Sequence, residues 1–337
     1  FAFRFPRPDS LEGLGIPVSL VAEIHERVSI RLAETPVQDL RIDFEDGSAP
    51  RSEDAEDEDS VRCGRAMAEA GARGELPAGW GLRIRSAARA TRARALRTLD
   101  RFVESFLEHS GKDAFHGFVV TLAKVIDPAE VEALASHLGR REREWGLAPG
   151  SVRLELMAET PESIVNPRGR VAATSLLAAA GGRCVGIHLG VYDYTASLGV
   201  VAALQGPRHP LCDFARQTLQ VALAGSGVEL SDGSPRVLPA MDAEGPPTPG
   251  EREVVADVRH ALEGAVYRGW DLSPSHTVLR AIAGIAFFRE HLPQMEERMR
   301  RVRGEAGEGA DADLEDAATH RALREFFDRA RENGALD

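Results

Sequence analysis

The chain has 337 residues, is 43% hydrophobic, and carries a formal net charge of −12. That length suits one large core, and the acidic balance argues against nucleic-acid binding, which needs a basic face. Cys63, Cys184 and Cys212 are isolated thiols without CxxC spacing, a pattern that fits a reducing cytoplasm better than a zinc site or a disulfide framework. No apolar stretch is long enough to span a membrane and no signal-peptide pattern is present. The first residue is Phe1 rather than Met, so further N-terminal sequence is expected.

In chain order, Phe1–Pro6 (FAFRFP) alternates like a short strand and Leu20–Leu32 has helical spacing. Asp39–Asp46 (DLRIDFED) reads as a strand ending in the acids Asp43, Glu45 and Asp46. Gly47–Asp59 is an acidic loop or helix start, and Val61–Ala70 continues as helix. Gly81–Ser86 (GLRIRS) is a short strand, Ala87–His109 an Arg-rich amphipathic helix, and His116–Lys124 (HGFVVTLAK) another strand. Asp127 is placed to cap the next helix, with Pro128 at its first position. Val152–Thr160 is a strand and Pro161–Ala180 a helix; Cys184–Asp193 is a strand and Leu211–Ala224 a helix. Gly227–Asp232 is a strand, Pro235–Gly250 a Pro/Gly-rich loop expected to help shape the mouth, Arg252–Arg268 a helix, and Gly269–Pro274 a last short strand. Val278–Glu290 and Met295–Arg303 are helices, Glu305–Ala312 a linker, and Leu314–Asn333 a terminal helix.

About eight strands alternating with helices is the pattern of an α/β (β/α)8 TIM barrel, here residues 1–303, followed by a linker and C-terminal helix at 304–337. A doubly wound open sheet is the competing topology. It is disfavoured because no Gly-rich dinucleotide turn follows an early strand.

Two runs dominate the chemistry. Leu154–Thr160 (LELMAET) and Val185–Asp193 (VGIHLGVYD) are apolar stretches closed by the acids Glu159 and Asp193. Such runs read as strands buried on both faces, and their carboxyl ends are where a barrel places its active site. Two carboxylates without a His/Cys cluster suit a hard cation, Mg²⁺ or Mn²⁺, that keeps positions open for water and substrate. Such a cation can chelate an α-keto acid, with a nearby Arg holding the carboxylate bidentately. Lys112 and Lys124 are the only lysines among 41 basic residues. A lysine that survives such a drift to Arg marks a need for a compact ammonium, and Lys124, closing a strand, is the one so marked. Simpler roles stand beside these. A lone strand-end acid also serves as an N-cap or ion-pair partner, Asp43–Asp46 can cap the next helix, Lys124 can be an ion-pair partner or a Schiff-base nucleophile, and Arg83 and Arg85 can be generic cations. The weight comes from all of them falling at strand ends on one side.

The order DFED (Asp43–Asp46), RI (Arg83–Ile84), AKV (Ala123–Val125), ET (Glu159–Thr160) and G-x-x-D (Gly190–Asp193) resembles the citrate lyase β-subunit-like (HpcH/HpaI aldolase) family of phosphoenolpyruvate/pyruvate-binding barrels. The resemblance implies C–C bond chemistry on a keto acid, hydroxy acid or CoA thioester through a metal-bound enolate. It implies metal ligands at Glu159 and Asp193 and a substrate-carboxylate arginine at Arg83. It also implies an orienting acid cluster at Asp43, Glu45 and Asp46, a site lysine at Lys124, and a homo-oligomer. Departures are Ala123 for Pro, Arg85 for Asn, which adds a charge able to read a second acidic group, and SPSH (Ser273–His276) for HPSQ. The Glu-His of His-base aldolases is absent, with Asp46-Gly47 in its place. DFED-x-x-AP (Asp43–Pro50) and EDAAT (Glu315–Thr319) are also similar to malate synthase, where the second motif carries the base. Asp316 is thus a candidate base, or an acid favoured by a helix N-terminus. The departures keep a non-catalytic carboxylate-binding or scaffolding barrel as the alternative.

Overall fold

The computed structural model describes residues 1–47, 52–303 and 317–337. In chain order the elements begin with α1 (Val21–Glu34), β1 (Asp39–Asp43), α2 (Glu53–Ala72), β2 (Gly79–Ile84), α3 (Arg92–Ser110) and β3 (Phe118–Leu122). Then come α4 (Pro128–Trp145), β4 (Arg153–Ala158), α5 (Pro161–Ile164), α6 (Ala173–Ala179), β5 (Cys184–Leu189) and α7 (Val191–Ser197). The chain continues with α8 (Pro210–Leu223), β6 (Glu229–Asp232), α9 (Pro249–Glu263), β7 (Arg268–Gly269), α10 (Pro274–Val302) and α11 (Ala317–Glu332).

One compact unit spans Val37–Ser234 and Arg268–Trp270. It holds a seven-stranded sheet in the order β1-β2-β3-β4-β5-β6-β7, every neighbouring pair parallel. A doubly wound sheet reverses its strand order at a switch point; strictly sequential order is that of a TIM-type barrel. The sheet curls on itself: Trp270, just past β7, reaches the guanidinium of Arg83 on β2. Side chains alternate across each strand. Leu82, Val120, Leu154 and Ile187 are fully buried or nearly so. Arg83, Thr121, Glu155 and His188, one residue on from each, face the interior.

The helices start where the sequence supplies caps. Asp127 accepts from the N–H of Ala129 before Pro128, and Thr160 and Ser163 close a reciprocal box at α5. α3 seats Leu99, Phe102, Val103 and Phe106 in the core, and Phe106 lies 4.6 Å from Trp80 of β2, centroid to centroid. Each fully buried side chain of this size contributes about 2 kcal/mol of transfer free energy.

The other unit comprises Phe1–Pro36, Pro235–Tyr267 and Asp271–Asp337. Its core joins Phe5, Ile24, Val28, Val258, Ile282, Ile285, Phe288 and Ala330. The strand expected at Phe1–Pro6 is a turn, with the Phe5 N–H on the Phe1 carbonyl. The alternation there arises from Phe5 entering the core while Arg4 makes a buried ion pair with Glu251. The helix expected over Pro161–Ala180 is two, because Asn166 folds Arg168 and Arg170 into a turn with Gly169 at φ 71. The two helices expected at Val278–Glu290 and Met295–Arg303 are one, α10, which continues through Pro293. Burial of Ile285, Phe288 and Leu292 outweighs the lost backbone hydrogen bond. His276 of SPSH is fully buried. Its Nδ1 accepts from the Leu272 N–H, which leaves Nε2–H to donate to the Val237 carbonyl at 2.6 Å.

No helix among the described residues is long and apolar enough to cross a membrane.

Candidate active site at the carboxyl ends of the strands

Asp43 is the last residue of β1, and the turn after it wraps its carboxylate. Oδ1 accepts from the Glu45 N–H at 2.9 Å and Oδ2 from the Gly47 N–H at 2.8 Å. A Cβ at position 47 would collide with that carboxylate, so glycine allows the turn. The same carboxylate takes a two-pronged bond from Arg83, Nε to Oδ1 at 2.8 Å and Nη2 to Oδ2. Fork-on-carboxylate geometry fixes the guanidinium plane. Burial would raise the Asp43 carboxyl, but the Arg83 bonds and charge and the two backbone N–H groups hold it below its ordinary value. Among the described residues the remaining nitrogen, Nη1, meets Met157 Sδ at 3.4 Å and, in a longer ion pair, Glu45 Oε2 at 3.7 Å.

Lys124 follows β3 with φ 50, a left-handed conformation costly for a residue with a Cβ. Two contacts accompany that strain. Its N–H donates to Glu159 Oε1 at 2.6 Å. Its ammonium lies 2.8 Å from both Glu45 Oε1 and Asp46 Oδ2, and 3.7 Å from Asp193 Oδ2. Burial would lower the Lys124 amine, but the bonds to Asp46 and Glu45 and the neighbouring carboxylates lift it above the ordinary lysine value. The ammonium is therefore a fixed charge, which argues against a Schiff-base nucleophile, since that role needs a lowered pKa.

Glu159 follows β4 and is 2% exposed. Burial, with Asp193 and Glu45 adding repulsion, pushes its carboxyl up to about 7 despite the Lys124 N–H. Gly190 lets it sit there, since a Cβ at 190 would lie 2.6 Å from Glu159 Oε2. β5 ends at Leu189, so Asp193 sits in the first turn of α7 rather than on a strand, its side chain 46% exposed.

The strand ends thus gather Asp43, Glu45, Asp46, Arg83, Lys124, Glu159 and Asp193. Arg85 instead bonds Glu56 of α2, Nη2 to Oε2 at 2.8 Å. Two further strand-end acids pair elsewhere: Asp232 with buried Arg216, and Asp271 with Arg280 inside the other unit. Asp316 lies outside the described residues. Below the acids lie groups the motifs did not mark: Met157, Glu155 and Thr121, with Arg41, His188 and Trp270. Glu155 sits inside an apolar run two and four residues before Met157 and Glu159, the period of one strand face. That spacing was the available signal.

The donors fit a divalent hard cation. They are oxygen ligands only, and burial first, then repulsion from Asp193 and Glu45, lifts the Glu159 carboxyl, a cost that a bound cation would offset. Among the described residues no three His, Cys, Asp or Glu side chains form a ready metal cluster. The fitting case is a cation on two protein carboxylates with open positions.

A parallel α/β barrel with acids, an arginine and a lysine at its strand ends is the class that fold and site define. The chain belongs to the family described as a domain of unknown function, DUF6986, whose profile matches residues 6–337. A sequence search of curated proteins found no match. Among solved structures the fold is similar to a citrate lyase from Burkholderia xenovorans LB400, with TM-score 0.63 and 18% identity, covering 94% of this chain and 90% of that one. It is similar to the protein CitE from Mycobacterium tuberculosis, in complex with magnesium, acetoacetate and coenzyme A, with TM-score 0.57 and 19% identity, over 90% and 95% of the chains. It is also similar to Haloferax volcanii malate synthase in a pyruvate/acetyl-CoA ternary complex, with TM-score 0.54 and 18% identity, over 93% and 88%.

Proposed function

We propose that the protein is a cytoplasmic, homo-oligomeric, Mg²⁺- or Mn²⁺-dependent carbon–carbon lyase or aldolase acting on a keto acid, a hydroxy acid or its CoA thioester. The observation that carries this reading is the gathering of Glu159, Asp193, Glu45 and Asp46 around Lys124, beside an arginine whose Nη1 meets Met157 Sδ at 3.4 Å and Glu45 Oε2 at 3.7 Å. Glu159 and Asp193 hold the cation. When bound, it supplies Lewis-acid stabilisation of charge developing on a keto oxygen. Arg83, locked by Asp43, presents Nη1 to the substrate carboxylate. Glu45 and Asp46 hold Lys124, whose ammonium offsets charge without leaving its place. Arg85 is held by Glu56 of α2 and would read a second acidic group only by leaving it; Asp316, outside the described residues, is the candidate base. The cation, acetoacetate and coenzyme A carried by CitE and the pyruvate and acetyl-CoA carried by malate synthase support this substrate range. They also keep a malate-synthase-like condensation as a second reading.

The test is exchange of pyruvate methyl protons with D₂O. With Mg²⁺ the protein should catalyse exchange, and a Glu159→Ala/Asp193→Ala double variant should lose both exchange and calorimetric Mg²⁺ binding. Unchanged Mg²⁺ affinity in the double variant sinks the metal assignment. Wild-type protein that binds Mg²⁺ without exchanging protons is a binding barrel rather than a lyase.

A further inference from the structure

Trp270 lies just past β7, yet its ring faces two residues from other parts of the sheet. The Arg83 guanidinium carbon lies over it, 5.5 Å from the centroid. The His188 ring meets it edge-on, 5.0 Å between centroids at 85°. His188 is 9% exposed, and its Nε2 lies 3.0 Å from Glu155 Oε2. Neither ring nitrogen has a well-aligned hydrogen bond among the described residues, so the ring contact with Trp270 and the close approach to Glu155 locate it. The same Glu155 oxygen accepts from Thr121 at 2.9 Å and Arg41 at 3.1 Å. A fixed carboxylate thus lies against an imidazole, the imidazole backs an indole, and the indole covers one side of the site arginine.

We infer that Trp270 is a positioning residue for Arg83, with His188 as its support, and that together they set how Nη1 meets a substrate carboxylate. This rests on the lyase reading, which supplies the carboxylate. Asp43 fixes two nitrogens of the fork. The ring fixes the swing of the third, since a cation over an indole face is attracted most where water is excluded.

The experiment uses full-length, Mg²⁺-loaded protein with oxalate as probe. Trp80 lies in the α3 aromatic cluster and Trp145 beside Arg141, so an emission change at the site reports Trp270. Oxalate should alter emission in the wild type. Trp270→Phe should abolish that change and keep most of the calorimetric affinity. Trp270→Ala and His188→Ala should each weaken oxalate by roughly tenfold, with Mg²⁺ affinity near wild type even where His188→Ala lowers thermal stability by loosening Glu155. His188→Phe, which restores the ring edge, should recover it. Without ligand, Arg83→Gln should shift emission in the wild type and not in Trp270→Phe. An oxalate response that persists in Trp270→Phe, or wild-type affinity in Trp270→Ala, overturns this inference alone. Wild-type protein that binds Mg²⁺ but not oxalate brings down the lyase reading and this inference with it.

Discussion

Burial, with Asp193 and Glu45 close by, pushes the Glu159 carboxyl up to about 7, so near neutral pH part of the metal-free protein carries a proton there. A cation needs that oxygen ionised, so binding must expel the proton. The sign follows from the raised pKa: Mg²⁺ affinity should climb as pH rises towards about 7 and level off above it. Calorimetry in buffers of different ionisation heat checks this. At about pH 6 the heats should differ by close to one released proton, and at about pH 8.5 they should converge; equal heats at the lower pH would contradict it. Glu159 and Asp193 were legible in the sequence because each ends an apolar run, where a charge needs a reason. Glu155 and His188 lie inside the same two runs and passed as apolar strand, because only contacts made across strands tell a buried ionic cluster from a chance polar residue. Arg85 reads as a site cation by position alone, yet Glu56 of α2 engages it.

Four strands meet at Glu155. Arg41 of β1, Thr121 of β3 and His188 of β5 all approach Oε2 of this β4 residue. Burial would raise its carboxyl, but the His188 contact and charge, then Arg41 and Thr121, hold it well below the ordinary 4.5. A depressed carboxyl contributes stability that is fully present above the unfolded-state value and lost as pH falls through the folded one. Glu155→Gln should therefore cost about 2 kcal/mol near neutral pH, since it takes a charged acceptor from Arg41 and Thr121, while Arg41 keeps Asp39. The gap from wild type should narrow below about pH 4.5. Urea unfolding across that range measures it, and a gap that widens towards acid would refute the account. The strands flanking the site were legible because buried parallel strands are short apolar runs between Gly, Pro and acid boundaries. The misread elements are those where tertiary burial decided. Phe5 is drawn into a core from a turn, and α10 continues through Pro293 after burying Ile285, Phe288 and Leu292.

At the scale of the whole molecule, composition singles out one lysine. The chain has 53 acids and 41 basic residues, and only Lys112 and Lys124 among the latter are lysines. Arginine serves wherever a planar, permanently charged fork will do. Lys124 instead sits where three carboxylates converge on one ammonium, a geometry three rotatable donors satisfy and a rigid fork does not. With only two lysines, amine chemistry becomes site-resolved, because every modified lysine falls in one of two peptides. Acylation consumes the neutral amine, whose fraction falls about tenfold for each unit the pKa rises. Lys112 is exposed, whereas the Lys124 amine is lifted above its ordinary value. An acylating reagent at about pH 8 should therefore modify Lys112 first and leave Lys124 largely intact. A Glu45→Gln/Asp46→Asn double variant, which removes two of the three carboxylates, should speed labelling at Lys124 and leave Lys112 unchanged. Borohydride reduction with pyruvate should give no adduct at Lys124, as expected of a permanent cation rather than a nucleophile. Peptide mass spectrometry reads all three results. Rapid acylation of Lys124 in the wild type, or a reduced pyruvate adduct on it, would mean that this lysine is neutral when it acts and that the carboxylates around it do not hold its proton.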